Sequence, residues 1–362
     1  MSRHPLSAAL SCALLLVPAF VPAVAAEPEV AVAKVKWEMP WKQGVAVDYA
    51  SEVMHDDFEN GVRSRTRSTD TTHVRITEAN DEGFVQTWAS EGDHYETLDG
   101  PSRDAEMRAF INAFGDTTLE ANLDAAGNYA SMRNLDKILP RLRKASEPML
   151  QVGIDAELAK IKDAKAREEA RAKAQENMGP MLDRMLTPRL VEALLSREIA
   201  NYNGFFGIEL EPDQAYEVET ELPNPMGGTA FPAKLTFSLS ISADDPEDLF
   251  VTYDMVVDRE KAAAIALEIG EKLVGQKATD KDKAELPAID IHDEGLFVVH
   301  RPTGIIEMYE DTRTTTIGKT KKVERNRLRQ LNGKHDHVWR DEEAADAKPA
   351  AEAAKPAAPA AS

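Results

Sequence analysis

Cysteine is nearly missing from this chain. Its 362 residues hold one, Cys12, inside a segment expected to be removed. A body without cysteine has no disulfides, no thiolate zinc site and no thiol nucleophile. A domain of this length is large enough to stand on its core alone. Surplus positive charge is lacking too, with 43 Lys+Arg against 63 Asp+Glu and a formal charge of −20. Removing residues 1–26, which hold Arg3 and no acid, makes it −21. A general nucleic-acid binder shows the opposite, a basic face built from excess Lys and Arg. Aromatics are only 6%, yet 43% of residues are hydrophobic and 29% charged, the balance of a globular chain. Catalytic signatures are absent as well. No Gly-x-Ser-x-Gly elbow, His-Glu-x-x-His pair, phosphate-binding Gly-x-x-x-x-Gly-Lys or Gly-x-Gly-x-x-Gly occurs.

The one long apolar run, Ala8 to Phe20, follows Arg3 and His4 and precedes Ala23-Val24-Ala25-Ala26. That is the pattern of a secretory signal peptide over 1–26. Pro18 and Pro22 break the run, which is shorter than a span of about 30 Å requires. The expectation is an exported, periplasmic protein with no transmembrane span after cleavage.

Period-2 alternation marks much of the remaining chain. Residues 45–53, 62–78 and 84–88 read as strands, separated by the turn Asn80-Asp81-Glu82-Gly83. A helix over 103–114 carries Met107, Phe110, Ile111 and Phe114 on one side, and short strands follow at 119–123 and 129–132. Residues 134–151 and 154–177 read as helices, the second ended by Gly179-Pro180. Asp163 with Arg167 reads as an i,i+4 pair on that helix. Thr187-Pro188 caps a further helix with a Leu190, Val191, Leu194, Leu195 stripe. Strands resume at 216–220, 235–241 and 250–257. Asp258 caps a helix striped by Ala262, Ile265, Ile269 and Leu273. A charged loop spans 276–287. Short strands at 289–291, 296–299 and 305–309 follow, the first two split by His292-Asp293-Glu294-Gly295, and polar strands occupy 311–330. The last 22 residues contain 11 alanines and three prolines and have little to bury.

The domain reading is a signal peptide (1–26), an N-terminal β-rich part (27–133), a helical insert (134–200), a C-terminal β-rich part with one helix (201–340) and a disordered Ala/Pro/Glu tail (341–362). The fold class is α+β. One or two curved antiparallel sheets carry the helical insert; the matching turns Asp124-Ala125-Ala126-Gly127 and His292-Asp293-Glu294-Gly295 in the two halves read either as a duplicated half-barrel or as an ordinary antiparallel meander.

Two residue groups are candidate sites. Trp37, Trp41, Trp88, Phe205, Phe206 and Phe237 are the aromatic positions that would line a hydrophobic ligand cavity; ordinary core is the competing reading. Lys319, Lys321, Arg325, Arg327 and Arg329 share strand parity, and residues 319–329 hold six bases against one acid. They read either as a contact for an anionic group or as a solvated sheet face or charged edge. Arg63, Arg65 and Arg67 repeat that pattern. Histidines beside acids, including His55, His292 and His335-Asp336-His337, read either as metal or general-base groups, His335-Asp336-His337 as a metal clasp, or, in the favoured reading, as exposed turn residues. No metal ligand, cofactor or catalytic residue is assigned.

Leu296 to Val299, His300-Arg301-Pro302-Thr303-Gly304 and Ile305 to Met308 form a strand, a turn ending in Thr-Gly and a second strand. This element resembles one hairpin of periplasmic lipoprotein-carrier-like half-barrels. The element order is similar to that of uncharacterised exported bacterial proteins of a domain-of-unknown-function family. The resemblance implies helices packed in the concavity of a curved sheet, where an apolar ligand or a lipidated partner would enter. The expected function is non-enzymatic binding of such a ligand or partner. The alternative is an envelope interaction or regulatory module that docks a partner through the helical insert. Oligomeric state has no sequence signal.

Overall fold

The computed structural model describes residues 33–59, 61–224, 228–274 and 287–335. The segment expected to be a signal peptide, with Cys12, nearly all of the 276–287 loop and the tail from 341 lie outside the described residues.

Eleven strands make one open antiparallel sheet. Its spatial order is β6 (Tyr129–Met132), β5 (Thr118–Asp124), β4 (Gly83–Asp99), β3 (Val62–Asn80), β2 (Ala46–Glu59), β13 (Thr320–Gln330), β12 (Ile305–Ile317), β11 (Ile289–His300), β10 (Asp248–Val257), β9 (Phe231–Ile241) and β8 (Ala215–Leu222). The N-terminal and C-terminal strands meet in the middle, with Tyr49 opposite Gln330 and Ser51 opposite Leu328. The two β-rich parts are therefore one sheet, and β13 is a central strand rather than an edge. β1 (Val35–Lys36) pairs with β7 (Glu209–Leu210) as a separate ribbon.

Five helices are described: α1 (Asp104–Phe114), α2 (Leu135–Ala159), α3 (Ala164–Met185), α4 (Pro188–Asn203) and α5 (Arg259–Val274). One face of the sheet takes the helices. Along it run Val47, Tyr49, Val74, Trp88, Leu328, Tyr309, Phe297, Val251 and Leu239, all buried in one core with Ile199, Tyr202 and Phe206 from α4 and its C-terminal turn. At the far end Ala262 and Ile265 of α5 pack on Phe231, Ala233, Val257 and Ile289.

The opposite face is ionic. Asp56 pairs with Arg63 and Arg65, Glu52 with Arg67 and Arg327, and Glu310 with Arg325 and Arg327. Alternation of inward and charged outward residues along β2, β3 and β13 thus encodes one buried and one wet face.

Several boundaries differ from the sequence reading: α2 runs unbroken through the expected break at 151–154, and β4 and β12 run well past the expected 88 and 309. The helix expected over 154–177 is broken after Lys160. Asp163 does not pair with Arg167 along a helix; its side chain caps α3, accepting from Ala166 N at 2.7 Å. Arg167 Nε turns back to the Ile161 carbonyl at 3.0 Å. Gly179-Pro180 does not stop α3, which runs through to Met185. Finally, 292–295 is no turn: β11 passes straight through it. Gly295 is required there because a Cβ would lie 2.3 Å from the Tyr253 ring. This weakens the duplication, since its counterpart at 124–127 is a true turn with Gly127 at φ +88°.

The Thr303-Gly304 turn has its own physical cause. Gly304 has φ +73°, and a Cβ would sit 1.9 Å from the Glu38 carbonyl oxygen. The turn accepts a hydrogen bond from Trp37 Nε1 at 3.0 Å through the Gly304 carbonyl. Only glycine permits this approach.

Candidate functional site

α4 decides what remains of the concave space. Thr187 caps it through Leu190 N at 3.3 Å, with Pro188 at the first helical position. At its other end Tyr202 is fully buried, ringed by Trp41, Tyr49, Trp88, Phe206 and Tyr309. The Tyr49 and Tyr202 hydroxyls share a hydrogen bond of 2.7 Å, and Tyr49 also donates to the Ile306 carbonyl at 2.9 Å. Asn203 accepts from Trp41 Nε1 at 3.0 Å and donates to Gln86 Oε1 at 2.8 Å, while Trp88 Nε1 donates to the same Gln86 oxygen at 2.9 Å. With these tips paired, the aromatic cluster around Tyr202 is a sealed core.

The structure therefore brings the six predicted aromatics into packing contact with one another or with the same core. Trp37, Trp41 and Phe206 are buried and stack edge-to-face, and Phe205 and Phe237 pack with Tyr253 and Tyr216. Trp88 alone of the six lines the cavity beside α1.

That cavity, of about 290 Å³, lies between α1, α4 and the concave side of β2–β5. Met107, Phe110, Ile111 and Phe114 of α1 form one wall, with Leu119 and Leu195 continuing it. No residue of α1 is buried. An amphipathic helix normally seals its apolar stripe against the core; here the stripe is only half-buried and lines the cavity, with Phe114 alone of the four packed against the core.

The opposite wall is acidic. Asp70, Asp93 and Glu198 line it, with Ser51, Ser68, Ser90, Thr72 and His94 and with no lysine or arginine. Burial, and then the charge of Asp70, pushes the Glu198 carboxyl up to about 7. Burial also raises Asp70, against the hydrogen bond it accepts from Thr72 Oγ1 at 2.7 Å. Asp93 is raised by burial and by Asp70. Beyond α4 the concave acids are satisfied differently: Arg313 holds Asp293 through two hydrogen bonds of 2.7 and 2.5 Å, Arg197 pairs with Glu324, and Tyr253 donates to Asp311 at 2.5 Å.

The basic stripe is on the other face of the sheet. Arg325 and Arg327 are ion-paired with Glu310 and Glu52, Arg329 is buried, and Lys319 and Lys321 are exposed at the β12–β13 turn. It cannot meet the headgroup of a ligand held in the concavity, and carboxyl groups stand there instead. His292 is engaged locally, with Nε2 2.6 Å from Asp254 Oδ2.

The cavity acids went unassigned on sequence, although a signal exists. Asp70 shares the inward parity of Thr72, Val74 and Ile76, and Glu198 lies on the α4 stripe between Leu195 and Tyr202. An acid at an inward position is the informative exception to burial patterning.

No protein-family model matches the chain, and no curated protein matches it. Among solved structures, one described as lipid–protein interactions in lipovitellin aligns at TM-score 0.40 and 10% identity, over 80% of this chain. The chain spans a quarter of that structure's length, at 25%. A likeness of that size bears on neither ligand nor activity. Among the described residues no helix is long and apolar enough to cross a membrane.

Proposed function

We propose that this is a non-enzymatic, exported binding protein that holds an apolar ligand, or the acyl chain of a lipidated partner, in the concave cavity under α1. The observation that carries this reading is the incompletely buried apolar face of α1, whose Met107, Phe110, Ile111 and Phe114 line a cavity, Phe114 also touching the edge of the core. Concave, mostly apolar pockets with a few convergent polar groups are the usual form of small-molecule sites. The chain enters along Phe110, Ile111 and Leu195. A neutral or cationic headgroup meets Asp70, Asp93 and Glu198, because an anionic one would face three carboxyl groups with no lysine or arginine among the lining residues. The periplasm is the compartment that the signal peptide implies.

Native mass spectrometry of gently purified protein should show co-purifying mass. A fluorescent acyl probe should bind saturably, and Phe110→Asp should weaken it at least tenfold while leaving the circular dichroism spectrum unchanged. A bare mass together with no probe binding would refute the reading.

A second reading has its own support. A groove of about 780 Å³ runs between the start of α1, α2 and α3, lined by Met149, Leu150, Ile154, Leu158, Ile161, Ala170 and Ala174. This favours the helical insert as a docking module. If it is one, Leu150→Glu with Ile154→Glu should abolish partner capture and leave acyl-probe binding intact.

A further inference from the structure

A second convergence of side chains lies at the start of β10, and none of its members lines the cavity. Asp248 is the first residue of β10 and Glu307 stands on β12; both are buried. His335 follows β13. Its Nε2 lies 3.4 Å from Asp248 Oδ2 and 3.3 Å from Glu307 Oε2. Neither that nitrogen nor Glu307 Oε2 makes a hydrogen bond, although both are shielded from solvent. Glu307 is only 7% exposed. A buried carboxylate oxygen and a buried ring nitrogen that face each other without a hydrogen bond carry a desolvation cost unless something else bonds to them.

The spacing fits a metal ion. One ligand atom from each of the three residues lies within 4.8 Å of the other two. Around a tetrahedral ion with bonds of about 2.0–2.2 Å, donors on adjoining vertices stand about 3.3–3.6 Å apart. The two measured separations agree with that edge. The charges agree as well. Lys334 Nζ is 2.9 Å from Asp248 Oδ1 and also bonds Asp245. It occupies the other oxygen of Asp248 and leaves Oδ2 free to point at His335. Asp245, Asp248 and Glu307 bring three negative charges against the one fixed positive charge of Lys334, with His300 and His335 adding positive charge only when protonated; with both imidazoles neutral a divalent cation balances the cluster.

We propose that Asp248, Glu307 and His335 bind one divalent cation of the zinc class, with a position left open for water. A mixed imidazole and carboxylate set suits such an ion better than magnesium or calcium, which favour oxygen-only shells. The ion ties the chain beyond β13 to β10 and β12. In the sequence only His335-Asp336-His337 hints at a metal clasp, and nothing local points to its two carboxylate partners. Asp248 and Glu307 are far from His335 along the chain, so only the hairpins assemble it. A second trio, Asp254, His292 and Glu294, is equally close. It is more exposed, and its histidine is already hydrogen-bonded to Asp254 at 2.6 Å, which makes it the internal control.

The test uses the chain without a polyhistidine tag, stripped by chelator and titrated with Zn²⁺ alone by calorimetry and with Co²⁺ by visible absorption. The expected result is one ion per chain, intense four-coordinate Co²⁺ bands and an upward shift of Tm on adding Zn²⁺. Glu307→Gln and His335→Ala should each weaken binding at least tenfold and abolish the Tm shift, while Asp254→Asn with His292→Ala leaves both unchanged. Circular dichroism checks folding, and His335→Gln replaces His335→Ala if the latter unfolds. Absence of saturable uptake by the unaltered chain overturns the proposal. So does undiminished affinity in the Glu307 and His335 variants, or loss of binding in the Asp254/His292 variant alone.

Discussion

Glu198 sits where α4 turns its buried stripe toward the cavity, and its titration ties the site to stability. Its carboxyl lies at about 7 in the fold, against an ordinary value of 4.5. The folded state therefore holds this proton more tightly than the unfolded chain does. The resulting stabilisation is complete below the unfolded value and is lost as pH rises through the folded one. Between pH 4.5 and 7 the native protein should lose on the order of 1–3 kcal/mol from this group, the lower figure reflecting its partial access to the cavity. Glu198→Gln should flatten that segment of the Tm-against-pH curve and raise Tm at pH 8. An unchanged curve would show that burial does not hold the group protonated. Gly304 belongs to the same scale. Gly304→Ala forces a side chain onto the Glu38 carbonyl at positive φ and should cost about 2–4 kcal/mol in denaturant unfolding. These two residues differ in how legible they were. The Thr-Gly turn showed in the sequence, but its tight neighbour Glu38, about three-quarters of the chain away, did not. Glu198 looked like one more acid among 63.

At the scale of elements, the helices divide by what they cover. α4 is part of the core, because Ile199, Tyr202 and Asn203 at its C-terminal end complete the packing of Tyr49, Trp88 and Gln86. α3 is held more locally. It has no buried apolar stripe comparable to α4's and begins at the Asp163 cap. Asp163→Ala should lower global stability by about 1 kcal/mol or less and increase amide exchange in the first turn of α3. Loss of the α4 cap through Thr187→Ala should cost more, since that helix is coupled to the whole core. Strand positions were legible because alternation is strict, as in Leu235, Phe237 and Leu239 against Thr236 and Ser238. Helix ends in the middle were not, because Asp163 serves equally well as a cap or as half of an i,i+4 pair, and only the interruption of the helix at 160–163 selects the cap.

For the whole molecule, an open eleven-stranded sheet carries helices on one face and a lattice of ion pairs on the other. The antiparallel α+β architecture followed from period-2 patterning and short turns. The closure of β2 against β13 did not, since nothing local pairs the first long strand with the last. That closure also determines the meaning of the basic residues. In isolation 319–329 is a positive stretch, but in the sheet Arg325 and Arg327 lie over Glu310 and Glu52, away from the cavity. The candidate aromatics behave the same way: sequence shows that they are large and apolar, whereas the contact between α4 and the sheet makes most of them core and leaves α1 as the half-buried apolar wall of the cavity. Everything proposed for the cavity depends on that wall holding an acyl chain. Photo-crosslinking with an alkyl probe bearing a diazirine, followed by peptide mass spectrometry, reads this out residue by residue. Adducts are expected on Met107, Phe110, Ile111 and Leu195. Adducts confined to the α2–α3 groove or to the ionic face, or no specific adduct, would contradict the acyl-chain reading.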